Sequence, residues 1–396
     1  MESAVRDPQG VTAADGHTWR ELWTPARGRL WLLACAVAAF LPAVGVPIRG
    51  WLDFSAFYAA GALAFSSDVV RLAPIVAWQQ VHGLPITPFV YPAGMALLYV
   101  PFAALPYGLA AALHLAIMAG LLATAAILGA DALGLPRRWS VIAAFAWGPA
   151  AAGVISGQNT ALALLLVVVA ALALQRDRQA ASGGLVGLLA YKPQLAAPLV
   201  LLFVLRSRWT ALIGVAIVAA GQYLAGVVAT GGNVAWPSDW LATLQSYTGA
   251  DFAANGWQAI SLPALGQHLQ LVTGIPGLML LGYALAAGIV VVCIPAMRRL
   301  PALEAVALAC ACGLVISPHA WVYDATLLLP ALAVFARRAE GRGWPWRSRW
   351  WLAVAFGLGL TWPLGGLIGI TALPLVVVAA PFALLGRGPF REPTPA

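Results

Sequence analysis

Long apolar runs, broken by short turns carrying arginine, glycine or proline, fill most of the chain. The pattern predicts helices near 30–46, 107–130, 139–155, 159–175, 183–190, 194–205, 209–229, 276–297, 301–316, 321–336, 350–367 and 370–386. Runs such as Ala161–Leu174 and Ile289–Pro295 are apolar on every face. A helix satisfies its own backbone hydrogen bonds in hydrocarbon, whereas a membrane barrel would alternate in segments of about ten residues. The runs 183–190 and 194–205 are too short to cross alone, since a span takes about 20 residues. They read as a broken pair meeting at Tyr191-Lys192-Pro193-Gln194. The stretch 92–105, interrupted by Pro101 and followed by Pro106, reads as a re-entrant or interfacial helix. The expected fold is therefore an all-α polytopic membrane protein with about 12 transmembrane or half-membrane helices.

Composition strengthens this picture. Of 396 residues, 62% are hydrophobic and 9% charged, against roughly 25% charged in a soluble domain. The net charge of +8 does not point to nucleic acid, because the basic residues are short arginine pairs between apolar runs rather than a stripe interleaved with stacking aromatics. With the N-terminus in the cytoplasm, the inner side holds Arg6, Arg20, Arg27, Arg29, Arg137, Arg138, Arg176, Arg178, Arg206, Arg208, Arg298, Arg299, Arg337, Arg338, Arg342, Arg347, Arg349, Arg387 and Arg391. Only Arg49 and Arg71 remain outside, the one-sidedness of a positive-inside topology.

The expected organisation is a cytoplasmic polar segment over 1–29, one transmembrane domain over 30–386 and a cytoplasmic tail over 387–396. The first helix reads as retained, because no small-residue cleavage site follows it. Outer loops span about 47–91 and 230–275. The first has helical patterning at 53–64 and 69–82, with Trp51, Phe57 and Trp78 suited to the interface. The second carries Trp236, Trp240 and Trp257 with the breakers Gly231, Gly232, Pro237 and Pro263. Cys35, Cys293, Cys310 and Cys312 lie in apolar runs and read as buried small hydrophobes.

A few polar residues need explaining. Asp53 reads either as a helix N-cap or as a general base held where water is scarce. Position alone favours the cap, and the two roles are compatible. Lys192, the only lysine, sits between half-length helices. It either snorkels to the interface or meets a phosphate, which an ammonium binds as a compact point charge. His319 and Asp324 fall within the first turns after Pro318. They read as an interfacial histidine with a dipole-favoured carboxylate, or as a histidine hydrogen-bonded to phosphate or acceptor with Asp324 orienting its neighbours. Gln158 and Asn159 offer neutral groups that suit sugar hydroxyls or a helix cap. Arg71 faces the outer side, where it meets lipid headgroups or substrate. His82, His114 and His268 form no metal-like grouping with carboxylates, and no phosphate-binding glycine loop is present.

On these residues the chain resembles glycosyltransferase family 87, membrane enzymes of the GT-C class. The matching elements run in order along most of the chain. They are Asp53-Phe54 with Phe57-Tyr58-Ala59-Ala60-Gly61, Tyr91-Pro92 with Pro101 downstream, Gly157-Gln158-Asn159, Lys192-Pro193-Gln194, and Ser317-Pro318-His319 with Tyr323-Asp324. The resemblance implies a GT-C-like fold and inverting transfer of a hexose, mannose in the commonest case, from a polyprenyl-phosphate donor, with arabinofuranose, galactose or glucose as the alternative sugar. The implied acceptor is a hydroxyl of a glycolipid or lipid-linked glycan on the outer face of a bacterial cytoplasmic membrane.

It implies Asp53 as general base and His319 as a second catalytic group. Lys192, Arg71, Tyr58, Gln158, Asn159, Gln194, Tyr323 and Asp324 would then surround the donor phosphate and sugar. One departure is Ala93 after Tyr91-Pro92, where the family often has a second proline. No cofactor and no metal are expected: protein cations suffice to stabilise a lipid-phosphate leaving group. Partners are the lipid donor, the acceptor and membrane lipids, with no nucleic acid. A flippase would also use broken helices and buried polar groups, but its polar groups would lie deep in repeat halves. A scaffold would have no use for a lone lysine in a broken pair.

Overall fold

A computed structural model describes residues 25–45 and 52–385. The sidedness assigned to Arg6, Arg20, Arg49, Arg387 and Arg391, the interfacial role of Trp51, and most of the two terminal segments lie outside the described residues.

The described chain is all-helical and builds a polytopic membrane protein. Its sole β pairing is an isolated antiparallel bridge between Ala259 and Trp321. Among the described residues, Tyr107–Leu133, Trp209–Ala229 and Leu278–Arg299 are long and apolar enough to cross a bilayer alone. Thr160–Gln175, Pro193–Leu205, Ala302–Ile316 and Leu373–Leu385 are shorter apolar helices.

Where the pattern suggested continuous helices, prolines divide two of them. The run expected over 139–155 is Arg137–Ala146 followed by Gly148–Ser156, bent by 68°. The run expected over 350–367 is Trp346–Leu360 followed by Trp362–Ile368, bent by 55°. Pro149 and Pro363 each sit in the first turn of the second piece. There a missing N–H is harmless, whereas a continuous helix would lose a bond and gain a ring clash. The expected break near Lys192 is present as a 3-10 turn, Leu189–Tyr191, between Gln179–Leu188 and Pro193–Leu205. The 321–336 stretch starts as a 3-10 segment, Val322–Leu328, before the helix Leu329–Glu340.

The second outer loop holds more order than its breakers suggested: a 20-residue helix Trp236–Asn255, then Leu262–Thr273. Pro237 and Pro263 start these helices rather than stopping them, each occupying the first turn. In the first outer loop the two expected helices are Leu52–Ala62 and Leu72–Val81. The stretch expected to be re-entrant or interfacial is a 3-10 segment, Ala93–Tyr99, leading into Val100–Ala103.

Ala302–Ile316 is the centre of the bundle, with every residue from Glu304 to Val315 buried. It packs against Thr160–Gln175, Pro193–Leu205, Leu278–Arg299, Leu329–Glu340 and Leu373–Leu385. Its alanines, cysteines and Gly313 keep the backbones close, the means by which helices associate without a hydrophobic drive between them. All four cysteines are buried and unbridged, as their apolar settings suggested.

The described arginine turns converge at one end. Arg208 pairs with Asp177 at 3.1 Å, Arg206 bonds the Met297 and Leu300 carbonyls, Arg338 pairs with buried Glu304, and Arg29 lies over the Trp139 ring.

The helices Gln179–Leu188 and Trp209–Ala229 meet through glycines. A Cβ on Gly183 would overlap the Ala211 carbonyl, and one on Gly214 the Ala180 carbonyl. Gly184 has only ordinary contact with Val218, at 3.5 Å. Gly183→Ala is therefore expected to destabilise the protein by about 1–3 kcal/mol, the usual range for overpacking, with Gly184→Ala close to neutral. Thermal unfolding of both variants in one detergent checks this; equal midpoints would refute close packing at Gly183.

Candidate active site

The helix Leu52–Ala62 is held by its apolar face. Phe54 and Phe57 are fully buried, Phe57 stacking on Tyr99 with centroids 4.7 Å apart and Phe54 lying 4.9 Å from the His114 ring. Polar clamps fix the same helix. Ser55 donates to the Pro85 carbonyl at 2.5 Å, and Gln79 donates to Ser55 at 3.1 Å and to the Thr87 carbonyl at 2.8 Å. Tyr58 donates to the Leu105 carbonyl at 2.7 Å, tying the helix to the re-entrant stretch.

Gly157 decides where this helix lands. It ends Gly148–Ser156 at φ 76°, and a Cβ there would press on Phe54. Only glycine meets both demands at low cost. The close approach brings Asp53 over the end of that helix. Asp53 lies in the first turn of its own helix, inside it rather than at a cap.

Asp53 is half-buried, on the 11-residue helix Leu52–Ala62, which is not among the helices long and apolar enough to span. Burial pushes its carboxyl up to about 6, against partial opposition from hydrogen bonds with Gln158 and Ser156 and from the charge of Lys192. The negative charge of Asp251 adds to the rise. Tyr91 donates to Gln158 Oε1 at 2.8 Å, which leaves the Gln158 amide N–H groups for Asp53.

Lys192 and Asp324 form a desolvated ion pair. Nζ lies 2.9 Å from Oδ1, with side-chain exposures of 6% and 2%. The second Asp324 oxygen accepts the Trp321 N–H at 3.1 Å, closing the first turn of Val322–Leu328. The ammonium also lies 5.0 Å from the Tyr323 ring centroid and 5.8 Å from that of Tyr91, within cation–π range. Nearby, Tyr191 donates to the Asn159 carbonyl at 3.1 Å.

A second unit is built from the helix Trp236–Asn255. Asp251 accepts bonds from Tyr247 at 3.0 Å and Asn255 at 2.8 Å on one oxygen, and its other oxygen lies 2.7 Å from His319 Nε2. Burial raises the Asp251 carboxyl, but His319, then Asn255 and Tyr247, outweigh it and hold it below its ordinary value. His319 is itself partly exposed and packs on Trp321 with centroids 4.4 Å apart.

The structure thus gathers Asp53, Gln158, Lys192, Tyr323, Asp324 and His319 at the end of the bundle away from the arginine turns. Asn159 is there too, fully buried, with a carboxamide that makes no well-formed hydrogen bond although Tyr99 stands beside it. Gln194 is half-buried and makes no bond to the cluster. Arg71 stays exposed, 3.9 Å from Asp68, and no contact brings it to Asp53. Tyr58 is engaged with Leu105 rather than with the polar cluster. Sequence reasoning missed Asp251. The available signal was the i,i+4 ladder of Tyr247, Asp251 and Asn255, a polar stripe on one face of a helix.

Three helices meeting the cluster are short: Thr160–Gln175 with 16 residues, Pro193–Leu205 with 13 and Ala302–Ile316 with 15. The 13-residue helix covers roughly 20 Å, against a hydrocarbon core of about 30 Å. The polar residues at their ends lie buried beneath Leu52–Ala62 and Trp236–Asn255 rather than at the protein surface.

These features define a polytopic membrane protein with a carboxylate-bearing polar centre sunk into one end of its helix bundle. Residues 89–318, more than half of the chain, match the model of glycosyltransferase family 87, and the chain belongs to that family. It is a membrane glycosyltransferase. No match emerges among curated proteins or among solved structures. Lys192, Gln158, Asn159 and Asp251 lie within the matched region, whereas Asp53 precedes it and His319 and Asp324 follow it.

The ion pair gives a sharp expectation. Lys192→Met leaves Asp324 buried without its partner and is expected to cost about 3–5 kcal/mol. Adding Asp324→Asn, which can still accept the Trp321 N–H, should recover much of the loss. Thermal midpoints of the single and double variants decide it; strictly additive losses would show that the two residues do not stabilise each other.

Proposed function

We propose that the protein is an inverting glycosyltransferase that moves a hexose, mannose as the first candidate, from a polyprenyl-phosphate donor to a hydroxyl of a lipid-linked glycan. The reaction is placed on the outer face of a bacterial cytoplasmic membrane, opposite the arginine turns. The observation that carries this reading is the placement of Asp53, a half-buried carboxyl beside Gln158, Ser156 and the Lys192–Asp324 pair, where burial pushes it up to about 6. A general base works best with a pKa near the operating pH, and most carboxylates are too weak as bases there.

In one displacement, the acceptor oxygen attacks the anomeric carbon while its proton passes to an Asp53 oxygen. The bond from that carbon to the phosphate oxygen breaks, and the electron pair leaves with the polyprenyl phosphate. Attack opposite the leaving group inverts the anomeric centre. Lys192 has three N–H donors, and the bond to Asp324 uses one. The others remain for the phosphate. Asp251 takes one ring nitrogen of His319 and leaves the second for the donor or acceptor. In its protonated form, that second nitrogen donates to a phosphate oxygen. Gln158 orients the base, Tyr323 and Gln194 line the approach, and the fully buried Asn159 packs behind it beside Tyr99 and Tyr191. Tyr58 acts through its hold on the re-entrant stretch, and Arg71 meets headgroups at the rim. The protein's own cations and donors carry the leaving-group charge in this scheme.

The test uses purified protein in nanodiscs, labelled polyprenyl-phosphate mannose and a panel of glycolipid acceptors. Asp53→Asn is expected to bind donor normally but to lose transfer by roughly 10²–10⁴-fold. Transfer at the wild-type rate would remove Asp53 as base, and donor consumption with no labelled glycolipid would remove the acceptor class.

The pH profile provides an independent expectation. The base acts deprotonated, so kcat/KM should fall as pH drops through about 6. A limb near the ordinary carboxylate value would contradict the role given to burial. Asp251→Asn should lower kcat by loosening His319 and move this limb slightly downward, since the Asp251 charge helps to raise Asp53. An unchanged kcat would confine Asp251 to holding its own helix.

A further inference from the structure

The long apolar helix Tyr107–Leu133 carries one histidine, His114, which is 1% exposed. An ionisable residue inside a span is costly, and it marks a working position more often than an inert one. Four aromatic rings box the imidazole. The Phe54 centroid lies 4.9 Å away, and those of Tyr99, Phe102 and Phe57 lie at 5.7, 6.1 and 6.3 Å. Its Nε2 lies 3.0 Å from the Gly157 carbonyl oxygen. A carbonyl only accepts, so Nε2 carries the proton and donates. A leucine would suit the box without the cost of burying a polar group. The N–H bond is what a histidine adds.

That bond falls on the turn that serves Asp53. The Gly157 carbonyl shares a planar peptide unit with the Gln158 N–H, and this N–H donates to the Gly153 carbonyl at 2.8 Å. With both ends of the unit held, the Gln158 backbone is fixed where its side chain meets Asp53. On its other side the imidazole packs on Phe54, the residue after Asp53, and Phe54 in turn sits against Gly157. His114, Phe54 and Gly157 thus form one three-way contact. It joins the helix that carries the carboxylate to the turn that carries its amide partner.

We propose that His114 is a positioning residue: its bond to the Gly157 carbonyl holds Gln158 in hydrogen-bonding register with the Asp53 carboxylate. It acts through Gln158 and not on the substrate. The catalytic consequence rests on Asp53 as the base, whereas the positioning itself does not.

Infrared difference spectra test this in nanodiscs without substrate: each protein minus its Asp53→Asn counterpart isolates the Asp53 carboxyl band and its titration. His114→Phe keeps a ring beside Phe54 and removes the N–H. The Gln158 bond lowers the Asp53 carboxyl, so its loss should move the midpoint upward from about 6, by about 0.5–1 pH unit. Lys192 and Asp251, whose charges also act on Asp53, stay in place. His114→Gln, whose side-chain nitrogen lies the same number of bonds from Cα, should restore the wild-type midpoint. His114→Met, slimmer and more adaptable, carries the same expectation as His114→Phe if the larger ring prevents folding. In the transfer assay both variants lacking the N–H should lose kcat by about 10–100-fold, with sugar-donor affinity unchanged. An unchanged midpoint in a folded His114→Phe or His114→Met would overturn the inference, as would a His114→Gln that titrates like them. A shifted midpoint with wild-type turnover would support the positioning and remove Asp53 as base.

Discussion

The buried pair between Lys192 and Asp324 is the constraint on which the end of the bundle away from the arginine turns depends. Each residue sits at a point where the helix is interrupted, Lys192 just before Pro193 and Asp324 in the 3-10 turn ahead of Leu329. Neither charge could remain in so desolvated a place alone, because an isolated buried ion costs several kcal/mol. Paired, they join two interruptions 132 residues apart in sequence. Such a pair adds less to net stability than to specificity, since apolar residues could pack the same space. What it secures is register: the Tyr91, Tyr191 and Tyr323 rings, Gln158 and the Asp53 carboxylate are disposed around one point.

Short helices and aromatic packing do the rest. Thr160–Gln175, Pro193–Leu205 and Ala302–Ile316 are each shorter than a full bilayer span, and the polar residues at their ends are buried. Phe54 and Phe57 drive the helix Leu52–Ala62 down onto that polar centre, and Gly157 removes the side chain that would hold it off. A residue that would otherwise be an ordinary first-turn aspartate thereby loses much of its water. The same burial that raises its carboxyl suits it to the proposed role of base. The Asp251–His319 unit has the opposite electrostatic character: three donors keep its carboxylate ionised, so it can hold an imidazole in one orientation. Two aspartates of similar intrinsic acidity are thus separated by their surroundings alone.

The fold was largely legible from the apolar pattern. Trp209–Ala229 falls where the hydropathy run ends, and the break at Lys192-Pro193 follows from two runs too short to span. The pattern was less informative where proline meets a long run. It does not distinguish a proline that ends a helix from one that starts the next, and Pro149, Pro237, Pro263 and Pro363 are all of the second kind. Glycosyltransferase chemistry was legible through the ordered short motifs, and the family match over 89–318 bears that out. Asp251 was not legible as a site residue, because its importance comes from facing His319, 68 residues away.

By itself the sequence determined that this chain lives in a membrane, which elements are helical, and which few polar residues stand apart from the arginine turns. Those properties follow from local composition and periodicity, because each helix closes its own hydrogen bonds and each apolar run answers separately to lipid. The tertiary structure alone decided that Lys192 meets Asp324, that Asp251 meets His319, and that Asp53 rests over Gln158 and Ser156. Ion pairing, desolvation and shifted acidity depend on distances between segments far apart in the chain. Those distances exist only once the short helices, the glycine contacts and the aromatic cluster have packed together.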